Sequence, residues 1–230
     1  MGIRERHDRE RSATTQAILD AARDLFTAEG YRNVSMRKIA ERIEYSPAAI
    51  YSYFPSKDAI YLALAEDGFR QLHDRAAAVP QHPSALERLR NLWWAFYEFS
   101  REHPSYFELM FVDRSVPQLC QGWSGFALLA SLMETATTEI QRAIATGELP
   151  GSVRPRAAVS LLWGTMLGPA VIQLGQRLSP GEDSDLLARD ILDTTLAGLA
   201  AGAPSSFIPC EIPVSVATAS APSASPSDHA

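Results

Sequence analysis

The sequence predicts an all-α protein, with a three-helix helix-turn-helix unit followed by a larger helical body. Three observations carry that prediction. Apolar residues recur at three- and four-residue spacing along most of the chain, the period of a half-buried helix, and no strand-like alternation persists. Serines able to accept a backbone N–H stand just ahead of the periodic runs, at Ser35, Ser46, Ser56 and Ser84. Glycines and prolines fall where the runs stop: Gly30, Pro55, Pro80, Pro104 and Gly147.

Taken in order, Ile18, Ala21, Ala22, Leu25 and Phe26 form one apolar face of a first helix, with Ser12 or Thr14 to cap it and Gly30 to end it. Ser35 opens a second, short helix through Met36, Ile39, Ala40 and Ile43. Ser46-Pro47 opens a third, since proline suits the first helical position, and it stops at Phe54 because a proline follows. Ser56 caps a long fourth helix through Ile60, Leu64, Phe69 and Leu72. Ser84 and Glu87 have capping-box spacing ahead of a helix carrying Leu89, Leu92, Trp93, Phe96 and Tyr97. After His103-Pro104 comes a short aromatic segment, then a helix from about Pro117 to Thr146.

The uncharged stretch Ala157–Gln176 is long enough on paper to cross a bilayer. Ser160, Thr165, Pro169, Gln173 and Gln176 interrupt it, and amphipathic segments surround it, so it reads as a buried helix, kinked at Pro169. A last helix runs from about Asp185 to Ala201. From Ala203 to Ala230 the chain is rich in alanine, serine and proline and has no packable face, which predicts a disordered tail.

Composition narrows the function. The chain is 46% hydrophobic and 21% charged, an ordinary globular balance. Cys120 and Cys210 have no redox or metal spacing, which fits a reducing cytoplasm, and the charged first eleven residues are unlike a secretory leader. The five histidines are scattered, so no metal site is expected; no glycine-rich phosphate loop or catalytic constellation is present, and no cofactor is expected. The net charge of −6 is uneven: residues 1–58 hold ten Lys and Arg against nine Asp and Glu, and the remainder eleven against eighteen. Any contact with double-stranded DNA therefore belongs at the N-terminal end.

Two helices joined by the tight turn Ile43-Glu44-Tyr45 make a helix-turn-helix, whose second member is suited to a major groove. Tyr51 and Tyr53 can reach phosphates or pack the trihelical core; Lys57, against the dipole of the fourth helix, can hold an anion or be solvated.

The run from Val34 to Ile60, VSMRKIAERIEYSPAAIYSYFPSKDAI, resembles the N-terminal domain of the TetR family of transcriptional regulators. Ser35, Ile39, Ala40, Ser46, Ile50, Tyr51, Tyr53, Phe54, Lys57 and Ile60 match its usual pattern by identity or close type, and with the helix-one phrase Ile18–Tyr31 the likeness covers residues 12–65. Two departures stand out. Glu44 takes a position where glycine permits a left-handed backbone, and Ala48 replaces a glycine beside the DNA.

The resemblance implies a charged arm over 1–11, a DNA-binding domain over 12–58 and a ligand-binding and dimerisation domain over 59–202, with the tail at 203–230. It implies DNA contacts from Ser35, Arg37, Lys38, Ser46, Pro47, Ala48, Ala49, Tyr51, Ser52, Tyr53 and Lys57. It implies a ligand-responsive repressor bound as a homodimer to a palindromic operator, with an apolar or aromatic small-molecule inducer.

Beyond residue 65 the likeness is fainter. His103–Phe111 and Trp163–Gly168 resemble a C-terminal type written with Trp, His and Gly, but Leu167 stands where the histidine would be. Trp93, Phe96, Tyr97, Phe107, Phe111, Trp123, Phe126, Trp163 and Met166 are candidate pocket residues, each also suited to plain core. Ser160, Gly164 and Gly168 leave room for a close helix approach, and Leu187, Ile191 and Thr195 form a stripe on the last helix. The resemblance makes these a dimer seam; packing inside one subunit is the alternative.

Overall fold

A computed structural model describes residues 2–113, 127–203 and 205–209. Among them every regular element is helical: α1 (Ile3–Glu29), α2 (Met36–Arg42), α3 (Pro47–Tyr51), α4 (Lys57–Ala77), α5 (Ala85–Glu102), α6 (Pro104–Phe107), α7 (Ala127–Ala145), α8 (Pro155–Leu174) and α9 (Ser184–Ala200). A 3₁₀ turn, Tyr31–Asn33, follows α1, and a π-helical turn, Glu108–Val112, follows α6.

The serine caps are in place. Ser35, Ser46, Ser56 and Ser84 have extended backbones and accept the N–H three residues on, from Lys38, Ala49, Ala59 and Glu87. Each bond satisfies one of the donors that a helix N-terminus leaves unpaired. At Ser84 the expected box is only half formed. The Glu87 carboxylate pairs with Arg90 instead, and Glu148, from the loop after α7, accepts the N–H groups of Ala85 at 2.9 Å and Leu86 at 3.3 Å.

The start of α1 differs from the sequence reading. The helix begins at Ile3, where the Gly2 N–H meets the Glu5 carboxylate, and neither Ser12 nor Thr14 caps it. Thr14 donates its hydroxyl back to the Glu10 carbonyl at 3.0 Å, as a helix-interior threonine does. The charged arm is thus largely the first turns of α1, and local pairs such as Arg6–Glu10 line it.

The expected boundary between residues 58 and 59 falls inside the first turn of α4, not in a linker. One apolar cluster runs from Ile18 and Phe26 in α1 through Leu64 and Phe69 in α4 to Leu162 in α8 and Leu196 in α9. Burial of each large side chain contributes about 1.5–3 kcal/mol, so head and body are held by shared core. A side chain at Gly68 would collide with the Met110 sulfur, so the missing Cβ lets α4 approach the π turn closely.

By length and composition α8 could cross a membrane, but it packs on α5, α7 and α9. It continues as one helix through Pro169, which is itself buried. The expected start of α7 near Pro117, Trp123 and Phe126 lie outside the described residues, as do residues 204 and 210–230 of the expected tail. The described part of the tail stays tied to the body. Ala203 donates to the Gly198 carbonyl at 2.9 Å, and Arg154 donates to that of Ser205.

Candidate functional site

The helix-turn-helix is held from beneath and open above. Ile39, Ala40 and Ile50 are fully buried and lock α2 and α3 onto α1 and α4. Glu44 adopts a φ of +59°, so this glutamate takes the left-handed conformation the turn demands. The Tyr45 N–H then reaches back to the Ala40 carbonyl at 2.9 Å and closes the end of α2. Strain there is on the order of 1 kcal/mol, small against the burial around it.

Pro47, Ala48, Tyr51 and Ser52 are exposed on α3, with Tyr51 54% accessible, and Ala49 is half-buried. Ser35 and Ser46 are exposed, and each accepts an amide through its oxygen, which leaves the hydroxyl proton to donate outward. Ser52 spends its hydroxyl on the Ala49 carbonyl at 2.7 Å. On α2, exposed Arg37 pairs with Glu41 at 2.7 Å, and Lys38 pairs with Glu29 of α1. Tyr53 is half-buried and the Arg11 guanidinium stands 5.0 Å over its ring.

Lys57 is a correction. The sequence offers it to a phosphate or to solvent; in the structure its ammonium turns inward. It donates to the carbonyls of Tyr31 at 2.7 Å and Val34 at 2.8 Å, and stands 4.1 Å over the Tyr31 ring. Burial lowers its pKa. Tyr31 in turn bonds Asp58 and packs against Phe26 and Tyr61. Burial, then the carboxylate of Asp58, raises the Tyr31 pKa, so the phenol stays a donor. Lys57 is therefore a clamp on the link between α1 and α2, made where α4 begins. Its partners lie 26 and 23 residues away, which no local pattern reveals. Arg11 was likewise missed; only the register of α1 carried upstream of Ser12 could have found it.

In the body, a small apolar pocket, partly open to solvent, lies between four helices. Leu72 and Ala76 of α4 line one side, and Leu132, Met133, Thr135 and Ala136 of α7 another. Leu92, Trp93 and Phe96 of α5 and Trp163 of α8 complete it. Phe107 and Phe111 stand behind this wall, their rings 5.5 and 5.6 Å from Phe96. Tyr97 and Met166 are corrections: both are wholly buried core outside the lining. Tyr97 turns toward α9 and gives its hydroxyl to Asp185 at 3.1 Å, because its position on α5 falls on the side facing that helix.

The outer face of α8 and α9 is less covered. Gly164 and Gly168 are exposed, and a Cβ built on either would meet nothing within 4 Å. Ser160 is half-buried, its hydroxyl bonded to the Arg156 carbonyl. Leu187, Ile191 and Thr195 are half-buried, and Thr195 shares a 3.2 Å hydroxyl contact with Thr165.

Comparison with known proteins agrees with this geometry. Residues 18–64 match the family model described as bacterial regulatory proteins, tetR family, and residues 89–195 match the tetracyclin repressor-like C-terminal domain. The HTH-type transcriptional repressor Rv1474c of Mycobacterium tuberculosis is 27% identical over 77% of this chain and 88% of its own length. The HTH-type transcriptional regulator RutR of Escherichia coli O157:H7 is 27% identical over 67% of this chain and 72% of its own. Among solved structures, the FadR regulator of Bacillus subtilis, in complex with stearoyl-CoA, superposes with a TM-score of 0.68 at 19% identity, covering 80% of this chain and 98% of that one.

Proposed function

The chain belongs to the TetR family and is a DNA-binding transcriptional regulator rather than an enzyme; from that premise we propose that it is a cytoplasmic, ligand-responsive repressor acting as a homodimer on a palindromic operator. The head, residues 12–58, presents α3 to the major groove. Arg37 and the two alanines of α3 read base edges, while Ser35, Lys38, Ser46, Tyr51 and Tyr53 contact the phosphates. The body, residues 59–202, pairs two subunits through α8 and α9, with Gly164 and Gly168 at the seam.

The observation that carries the regulatory part is the course of α4. Its C-terminal half lines the cavity through Leu72 and Ala76, and its first turn clamps the head through Lys57. A molecule that displaces Leu72 therefore acts on the helix that sets the position of the head. For release of DNA, it must bind the state in which the two heads misfit the operator more tightly than the state in which they fit. That a related FadR was solved with stearoyl-CoA supports a ligand-binding body.

Selection from a random DNA library, with sedimentation of the protein, tests the reading. Two inverted half-sites bound by a dimer are expected, with centres about 34–36 Å apart or more. A single half-site bound by a monomer would overturn it.

A further inference from the structure

We propose that Arg11, on the stretch of α1 that precedes the helix-turn-helix, binds a DNA phosphate, its guanidinium held ready by the ring of Tyr53. The inference rests on the reading that the head meets DNA through α3. Three observations carry it.

α1 starts at Ile3, well ahead of residue 18, where the family match begins, so the likeness to the family assigns nothing to Arg11. Two contacts set one face of these early turns against the helix-turn-helix. The Arg11 guanidinium stands 5.0 Å over the Tyr53 ring, and the Thr14 hydroxyl lies 3.5 Å from that of Tyr45, in the turn before α3. Arg11 and Thr14 are three residues apart in sequence and so share a face of α1. Tyr45 is 43% exposed and Tyr51, at the end of α3, is exposed too, so that face borders the open side of the head.

Arg11 is exposed, and among the described residues no carboxylate or carbonyl accepts from its side chain. Its neighbours on the same turns are spent differently. Arg6 pairs with Glu10 at 2.9 Å, and Arg9 donates to the Glu5 carbonyl at 3.1 Å. The Arg11 donors are therefore available to an anion that arrives from outside.

A guanidinium lying over an aromatic face keeps its N–H edge free, while the ring limits its swing. That leaves a permanently charged planar fork, ordered before DNA arrives, which suits two oxygens of one phosphate. Such a contact carries no base information but fixes the register of the head on the duplex. Because residues beyond 58 hold eleven Lys and Arg against eighteen Asp and Glu, an unpaired cation here also draws the head, and not the body, to DNA.

The test uses the full chain, a random-sequence duplex and the duplex that the parent selects from a random library. Arg11→Gln is expected to keep the parent's melting temperature and to bind both duplexes on the order of tenfold more weakly, with a salt slope lower by about one unit per bound subunit. Arg11→Lys is expected to restore the slope but not the affinity, because an ammonium keeps the charge and loses the fork. The penalty of Arg11→Gln should persist in a Tyr53→Phe background, which keeps the ring, and shrink in Tyr53→Leu, which lacks it. Unchanged slope and affinity in Arg11→Gln would overturn the phosphate contact, and a loss confined to the selected duplex would overturn it in favour of base reading. A lower melting temperature with an unchanged slope would make Arg11 a structural residue only. Full recovery by Arg11→Lys, or an equal penalty in the Tyr53→Leu background, would overturn the stacked fork. Failure of the parent to bind either duplex would overturn the premise that the head meets DNA, and this proposal with it.

Discussion

The carboxylate of Glu148 accepts the backbone N–H of Ala85 at 2.9 Å, so the loop after α7 caps the first turn of a helix 63 residues earlier. The same carboxylate takes the Leu86 N–H and the hydroxyls of Ser84 and Thr146. It therefore sits at the positive end of the α5 dipole and ties together two of the helices that line the cavity.

That arrangement makes stability depend on acid. The hydrogen bond from Ser84, followed by the backbone N–H groups, lowers the Glu148 pKa to about 2 against an ordinary value near 4.5. A depressed carboxylate stabilises the fold fully above its unfolded pKa and loses that contribution as pH falls through the window from about 4.5 to 2. The melting temperature of Glu148→Gln should therefore lie below the parent's at neutral pH, by the worth of a lost cap, about 1 kcal/mol, and converge on it near pH 2. A constant gap across that range would refute the role.

Lys57→Met should destabilise the protein by about 1–3 kcal/mol, because the carbonyls of Tyr31 and Val34 lose a charged donor in a half-buried site. Urea unfolding measures it. The salt dependence of operator binding should keep its slope. A slope lower by about one unit with unchanged stability would return Lys57 to a phosphate.

Arg37 is exposed, and its pair with Glu41 is a solvent-screened surface contact, so the guanidinium is free to swing to a base edge. Arg37→Ala should relax sequence preference at one position per half-site, at a cost of about 1–3 kcal/mol. Selection from random DNA that returns the parent motif would show that Arg37 reads no base.

A Cβ at exposed Gly164 would meet nothing within 4 Å in the subunit, so each Gly164→Leu subunit should fold as before. Across a dimer seam the same side chain would overpack, typically by about 1–3 kcal/mol. Sedimentation should show weakened dimerisation, and affinity should fall for the full operator but not for an isolated half-site. A dimer as tight as the parent's would move the seam elsewhere.

By itself, the sequence determined the helices, the four serine caps and the helix-turn-helix. A cap spans three residues and an amphipathic face repeats every three or four, so both are written in short windows. The family resemblance marked Glu44 as standing where glycine permits a left-handed backbone, and the glutamate adopts that conformation. Tertiary structure alone decided what the long polar side chains do. Lys57 turns to the far end of the α1–α2 link, Glu148 caps the first turn of α5 while Glu87 pairs with Arg90, and Tyr97 leaves the aromatic wall for Asp185. It also decided which rings line the cavity, since Trp93 and Tyr97 share one helix but lean toward different neighbours. Each of these choices depends on which helix lies opposite, a separation of tens of residues that local periodicity does not encode.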